Sequence, residues 1–113
     1  MSDCLFCRIV AGEIPAKVVK RSDRALAFED ISPQAPTHVL AIPLEHLQGP
    51  ANLEAAEATA GHLLSFAAQV ARELGLVEGG YRLVLNQGVD GGQSVGHVHV
   101  HILGGRRMKW PPG

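Results

Sequence analysis

Three observations predict an α+β fold: about five short antiparallel strands with one long and one short helix. Short runs of strand-like alternation recur along the chain, bounded by Gly, Pro or charged turn residues. One stretch after Asn52 carries apolar residues at helical spacing. Tight turns or short loops join the strands, which favours an antiparallel sheet with helices packed on one face. No internal repeat or composition shift divides the chain, so a single domain over residues 1–113 is expected.

In order, Asp3 is placed to cap a short helix over Cys4–Ala11, with Gly12 at the left-handed position that ends it. Glu13-Ile14-Pro15 breaks into extended chain. Val18-Val19 and Ala25–Asp30 read as strands joined by a charged turn around Ser22-Asp23-Arg24. The prolines make Ser32–Pro36 a loop, and Thr37–Ile42 is a strand stopped by Pro43. Asn52 is the cap expected for a helix reaching Leu74, with Leu63, Leu64, Phe66, Val70, Ala71 and Leu74 as its apolar stripe and Gly75 as its stop. Within it, Gly61 marks either a kink or a later start. Tyr81–Asn86 alternates as a strand, Gln87–Gly96 is a glycine-rich loop, and His97–Leu103 is the last strand. The tail from Gly104 to Gly113 is irregular.

A net charge of −1 gives no basic footprint for a nucleic-acid backbone, so a bound nucleotide is expected to be small. No apolar run approaches the length that spans a bilayer. The N-terminal Met1-Ser2-Asp3-Cys4 lacks the pattern of a secretory leader, and a cytoplasmic location is the expectation.

The chemistry is expected at His97-Val98-His99-Val100-His101, where three of six histidines alternate. Side chains two apart on a strand share a face, so the imidazoles form a row about 7 Å apart while Val98, Val100 and Ile102 enter a core. Three ligands on one strand do not converge readily on one tetrahedral ion, whereas a division of labour is easily built. The middle residue, His99, is best placed as a nucleophile. The glycine loop before it is no P-loop, since no Gly-Lys-Ser/Thr follows. Its backbone N–H groups, with Gln93 and Ser94, suit an anion, although a long hairpin connection would also carry glycines. Asp30 at a strand end reads either as an acceptor for sugar hydroxyls, with Ile31 against a base, or as a solvated turn residue. Cys4-x-x-Cys7 is half a zinc site that two of His38, His46 and His97 would complete, or else a pair of ordinary buried cysteines.

His97-Val98-His99-Val100-His101-Ile102-Leu103 resembles the signature of the histidine triad (HIT) superfamily. Glu13–Lys17, Asp30–His38, Gly91–Val95 and the ending Trp110-Pro111-Pro112-Gly113 resemble its Hint branch, the histidine triad nucleotide-binding proteins. The resemblance covers nearly the whole chain. It implies the HIT fold, a homodimer with the sheet continued across both protomers, and a purine nucleoside phosphoramidase also active on aminoacyl-adenylate-like compounds. It implies His99 as the nucleotidylated nucleophile. Asp30 and Ile31 would lie at ribose and base, and Asn86, Gly92, Gln93, Ser94 and His101 around the α-phosphate. His38 would stand behind the phosphate, and Trp110 would reach the partner's site. The Cys4/Cys7 pair departs from the best-known eukaryotic members but occurs in bacterial relatives. It implies structural zinc on Cys4, Cys7, His46 and His97. Gly96 replaces a bulkier residue common before the triad.

No organic cofactor is implied. For the mechanism, cationic neighbours are expected to keep His99 neutral. The alternatives are a dinucleoside polyphosphate hydrolase and a nucleotide-binding regulatory protein with little turnover.

Overall fold

The computed structural model describes residues 3–113. Met1 and Ser2, part of the stretch read above for a leader, lie outside the described residues. Five antiparallel strands form one sheet in the order β1-β2-β3-β5-β4, with β1 at Val18–Arg21, β2 at Ala25–Glu29, β3 at Thr37–Pro43, β4 at Tyr81–Val84 and β5 at Val100–Gly104. Helix α1 spans Leu5–Val10 and helix α2 spans Glu57–Glu73. Among the described residues no helix is long and apolar enough to cross a membrane.

Alternation along β2 and β3 sets the two faces. Ala25, Ala27, Val39 and Ala41, with Val98, Val100 and Ile102, meet Leu63, Phe66, Ala67, Val70 and Ala71 of α2. The small alanines let the helix lie close, and Phe66 fills the space between. Leu26, Phe28, Leu40 and Ile42 point the other way and meet Phe6 of α1. The two helices therefore cover opposite faces, not one as expected. His99 and His101 fall on the α1 face because Val98, Val100 and Ile102 occupy the α2 face.

Several boundaries differ from expectation for local reasons. Cys4, not Asp3, caps α1, its Sγ accepting the Cys7 N–H at 3.4 Å. Gly12 does take the left-handed conformation, with φ of 78°. Asn52 lies in a 3-10 helix over Pro50–Ala55, where its Oδ1 accepts the Gly49 N–H. The long helix begins after Ala56, without a side-chain cap, and Gly61 sits inside it. Leu64 and Leu74 are exposed, so the apolar stripe is narrower than the hydrophobic residues suggest. Strand β4 stops at Val84, short of Asn86.

Only His101 of the triad lies in a regular strand. Ladder pairing between β3 and β5 runs from Thr37↔Gly104 to Ala41↔Val100. Two residues beyond Ala41, Pro43 has no N–H to give. The Val98 N–H instead reaches the Leu47 carbonyl at 2.7 Å. His97 and His99 are thus carried on irregular chain just before β5 begins, held by side-chain bonds instead of a ladder.

Candidate active site and metal centre

His97 is fully buried, and its Nε2–H donates to the Pro43 carbonyl at 3.0 Å. That bond fixes the tautomer and leaves the Nδ1 lone pair facing Cys4, Cys7 and His46. The Cys4 Sγ–His97 Nδ1, Cys7 Sγ–His97 Nδ1 and Cys7 Sγ–His46 Nδ1 separations are 3.4, 3.5 and 3.2 Å. His46 Nδ1 lies 3.2 Å from His97 Nδ1, and all four donor atoms lie within 4.8 Å of one another. A tetrahedral zinc ion with bonds of about 2.3 Å to sulfur and 2.0 Å to nitrogen has S···N edges of about 3.5 Å and N···N edges of about 3.3 Å. The four side chains therefore fit zinc, and His38 of the expected histidines is not among them. It lies in a separate group with Asp30 and His101.

His99 is 4% exposed, and its Nδ1–H donates to the His97 carbonyl at 2.8 Å. A carbonyl only accepts, so the proton is on Nδ1 and Nε2 keeps its lone pair. Phe6 meets the imidazole edge-on, with ring centroids 5.3 Å apart and planes at 86°. His99, His101, Ser94, Asp30 and Ile31 line one cleft of about 550 Å³, whose apolar walls include Leu5, Phe6, Ile9 and Ile14 on one side and Phe28 and Leu40 on the sheet.

Behind His101, His38 is buried. Its Nδ1 accepts the Gln34 backbone N–H at 3.0 Å, which places its own proton on Nε2. Nε2 lies 2.9 Å from His101 Nδ1 and 3.3 Å from Asp30 Oδ2. Asp30 Oδ1 accepts the Ser32 N–H at 2.8 Å. Burial, then the neighbouring His99 and His38, push the His101 pKa down to about 4. Burial also lowers that of His38, against the pull of Asp30. Burial lowers His97 as well, opposed by its bond to Pro43. The neighbours of His99 are therefore neutral near pH 7, not cationic as expected. Hydrogen bonding to a carbonyl sets its tautomer.

The remaining expected residues lie outside the cleft lining. Gln93 Nε2 donates to the Gln48 and Val95 carbonyls at 2.7 and 3.0 Å, while its Oε1 accepts the Gly88 N–H. Asn86 donates to the Gly91 carbonyl. Both side chains shape the loop. Gly92, with φ of 75°, supplies its left-handed turn. Trp110 is 82% exposed. Phe6 was missed by sequence reasoning, although Leu5, Phe6 and Ile9 share helical spacing. The Gln34 N–H and the Pro43 and His97 carbonyls leave no side-chain signal at all.

Residues 11–108 match the family model described as HIT domain. The 14 kDa zinc-binding protein of Zea mays is 50% identical, the alignment covering 99% of this chain and 89% of that protein. Adenylylsulfatase HINT1 of Arabidopsis thaliana is 47% identical over 99% of this chain and 78% of its own. The crystal structure of a HIT family hydrolase from Legionella pneumophila Philadelphia 1 superposes with a TM-score of 0.94 at 49% identity, covering 98% of this chain and 100% of that one. Fold, triad and relatives agree: the chain belongs to the HIT domain family.

Proposed function

We propose that this HIT protein is a purine nucleoside phosphoramidase, cleaving the P–N bond of adenosine 5′-phosphoramidates and aminoacyl-adenylate-like compounds. One observation carries the reading. His99 presents an unprotonated Nε2, held by the bond from Nδ1–H to the His97 carbonyl, in a cleft that also holds Ser94 and His101. The apolar walls suit a purine, and Asp30 at the rim suits sugar hydroxyls.

Nε2 of His99 attacks phosphorus in line and the P–N bond breaks. The departing nitrogen takes a proton and leaves as an amine. That proton enters from water through the groups at the leaving position, Ser94 Oγ and His101 Nε2. Water then hydrolyses the nucleotidyl-His99, returning one proton and freeing the nucleoside monophosphate. N–H groups of the 87–96 loop stabilise charge developing on the phosphoryl oxygens.

Zinc on Cys4, Cys7, His46 and His97 would supply structural bracing, since four protein ligands leave no position for reactive water. Cys4 and Cys7 would tie the first turns of α1 to the triad segment. In this reading the molecule is a single-domain homodimer of the cytoplasm, binding neither a nucleic-acid polymer nor a membrane.

A second leaving group, sulfate, is favoured by the Arabidopsis relative's name. Incubation with an adenosine phosphoramidate, adenylyl sulfate and a diadenosine polyphosphate, followed by mass spectrometry of acid-quenched protein, separates these readings. Nucleotidylated His99 with release of amine is the expected result. Turnover of the polyphosphate alone would point to the dinucleoside polyphosphate hydrolase, and no adduct with any substrate to a binding protein.

A further inference from the structure

Phe6 stands between the cysteine–histidine cluster and the nucleophile. It is 4% exposed and lies between Cys4 and Cys7 in sequence. Its ring centroid is 6.0 Å from that of His97 and 5.3 Å from that of His99, with planes at 71° and 86°. One aromatic side chain thus touches a candidate metal ligand and the group expected to attack phosphorus. Leu5, Phe6 and Ile9 also form the α1 wall of the cleft. The two sulfur atoms that reach His46 and His97 come from the N-cap of α1 and from its first turn, on either side of Phe6.

A six-residue helix is marginal by itself, so the order of this wall depends on what α1 touches. Burial of Phe6 with Leu26, Phe28, Leu40 and Ile42 holds the helix against the sheet. Apolar burial is non-directional and leaves rotation about the helix axis loosely set. Bonds from Cys4 and Cys7 to a point shared with His46 and His97 remove that freedom.

We infer that Phe6 is a positioning residue that couples occupancy of the cysteine–histidine cluster to nucleotide affinity in the cleft. The inference rests on the reading above in two respects, zinc on the four ligands and a nucleotide in the cleft. With the cluster closed, the wall and the His99 ring are in place before the nucleotide arrives. With it open, the nucleotide must itself order Leu5, Phe6 and Ile9, and that entropy is subtracted from its binding. Linkage runs both ways, so a bound nucleotide tightens the cluster by the same factor.

A cluster that only stabilises the fold predicts otherwise. Nucleotide affinity of the folded chain would then be the same with and without zinc, however far apart the melting temperatures. A cluster acting through the His97 carbonyl and the His99 Nδ1–H predicts a zinc effect that is indifferent to residue 6.

The experiment measures adenosine 5′-monophosphate binding by calorimetry to zinc-loaded and to metal-free protein, each checked for native far-UV dichroism. Kd should weaken by about tenfold without zinc. Zinc affinity, read by competition with a chromophoric chelator, should rise by the same factor when the nucleotide is saturating. In Phe6→Leu, which keeps an apolar side chain but no ring against His99, both factors should fall towards one. Imidazole NMR of the wild-type chain keeps the test open if that variant does not fold. Metal removal should move the His99 signals, as the Phe6 ring shifts beside them, and leave those of His38 in place. Equal Kd values with and without zinc, unmoved His99 signals, a zinc factor undiminished in Phe6→Leu, or a metal-free chain without native dichroism would overturn the coupling. Phosphoramidate turnover beside zinc-independent nucleotide binding sinks the coupling alone. Zinc-dependent binding without turnover of any phosphoramidate sinks the proposed activity and keeps the coupling. A chain that does not bind zinc sinks the coupling, and one that does not bind the nucleotide sinks both.

Discussion

At the scale of single residues, a few backbone groups decide what identical imidazoles do. The Pro43 carbonyl turns the Nδ1 of His97 to the cysteines, and the His97 carbonyl turns the Nε2 of His99 to the cleft. Replacing His99 by Ala should lower phosphoramidate turnover by about a thousandfold or more while nucleotide monophosphate binding persists. Steady-state rates beside equilibrium binding check this. A variant near wild-type rate would remove His99 from the mechanism. The buried pair His38 and His101 also makes stability depend on pH. Both folded-state pKa values lie below the ordinary histidine value, His101 at about 4. The unfolded chain therefore binds more protons as acid is added. The stabilisation is complete above about pH 6.5 and drains away as pH falls towards about 4. Urea midpoints between pH 7.5 and 4.5 should fall accordingly, and His101→Gln should flatten the lower part of that slope.

At the scale of elements, alternation made much of this site legible in the sequence. The period of two in Val98, Val100 and Ile102 fixes the face of His99 and His101 once one face is apolar. The C-x-x-C spacing likewise marks two side chains that meet His46 and His97 in a group able to hold a metal. What stayed hidden depends on partners distant in sequence. Pro43 reads as a strand stop, yet it also ends the ladder that would have included His99. Gln93 is expected near the phosphate, and its bond to the Gln48 carbonyl, which ties the loop down, has no counterpart in the sequence pattern. Helix α1 reads as a minor element. It has six residues, too few to be stable alone, and it carries Phe6 against His99. If zinc is bound as proposed above, its bonds to Cys4 and Cys7 anchor the helix and give metal removal a defined consequence. Chelation should lower the melting temperature and raise amide exchange in α1 before it does so in α2, and zinc should restore both. Cys7→Ser should reproduce the loss and blunt the zinc response. An α1 that exchanges at the same rate with and without metal would deny the bracing. The α2 face rests on ordinary packing: Phe66→Ala should cost about 3–5 kcal/mol by urea unfolding.

At the scale of the whole molecule, the sheet order leaves β1 and β4 at the two edges. An exposed edge offers a row of N–H and C=O groups to another chain, and proteins blunt edges they do not use. Strand β1 is blunted: its register shifts between Val18 and Lys20, and Lys20 and Arg21 follow. Strand β4 pairs in unbroken register with β5, carries Leu83 and Val84, and is followed by exposed Leu85. If the protein is the dimer proposed above, continuation of the sheet through β4 is the arrangement its edges favour. Sedimentation equilibrium should then give twice the 12.0 kDa chain mass at micromolar concentration. Amide exchange adds the location. The outward N–H groups of β4 should be protected and those of β1 should not, because an edge N–H exchanges slowly only when another strand accepts it. Dilution to the monomer should erase the β4 protection and leave β1 unchanged. A dimer whose β4 amides exchange as fast as those of β1 would place its interface elsewhere.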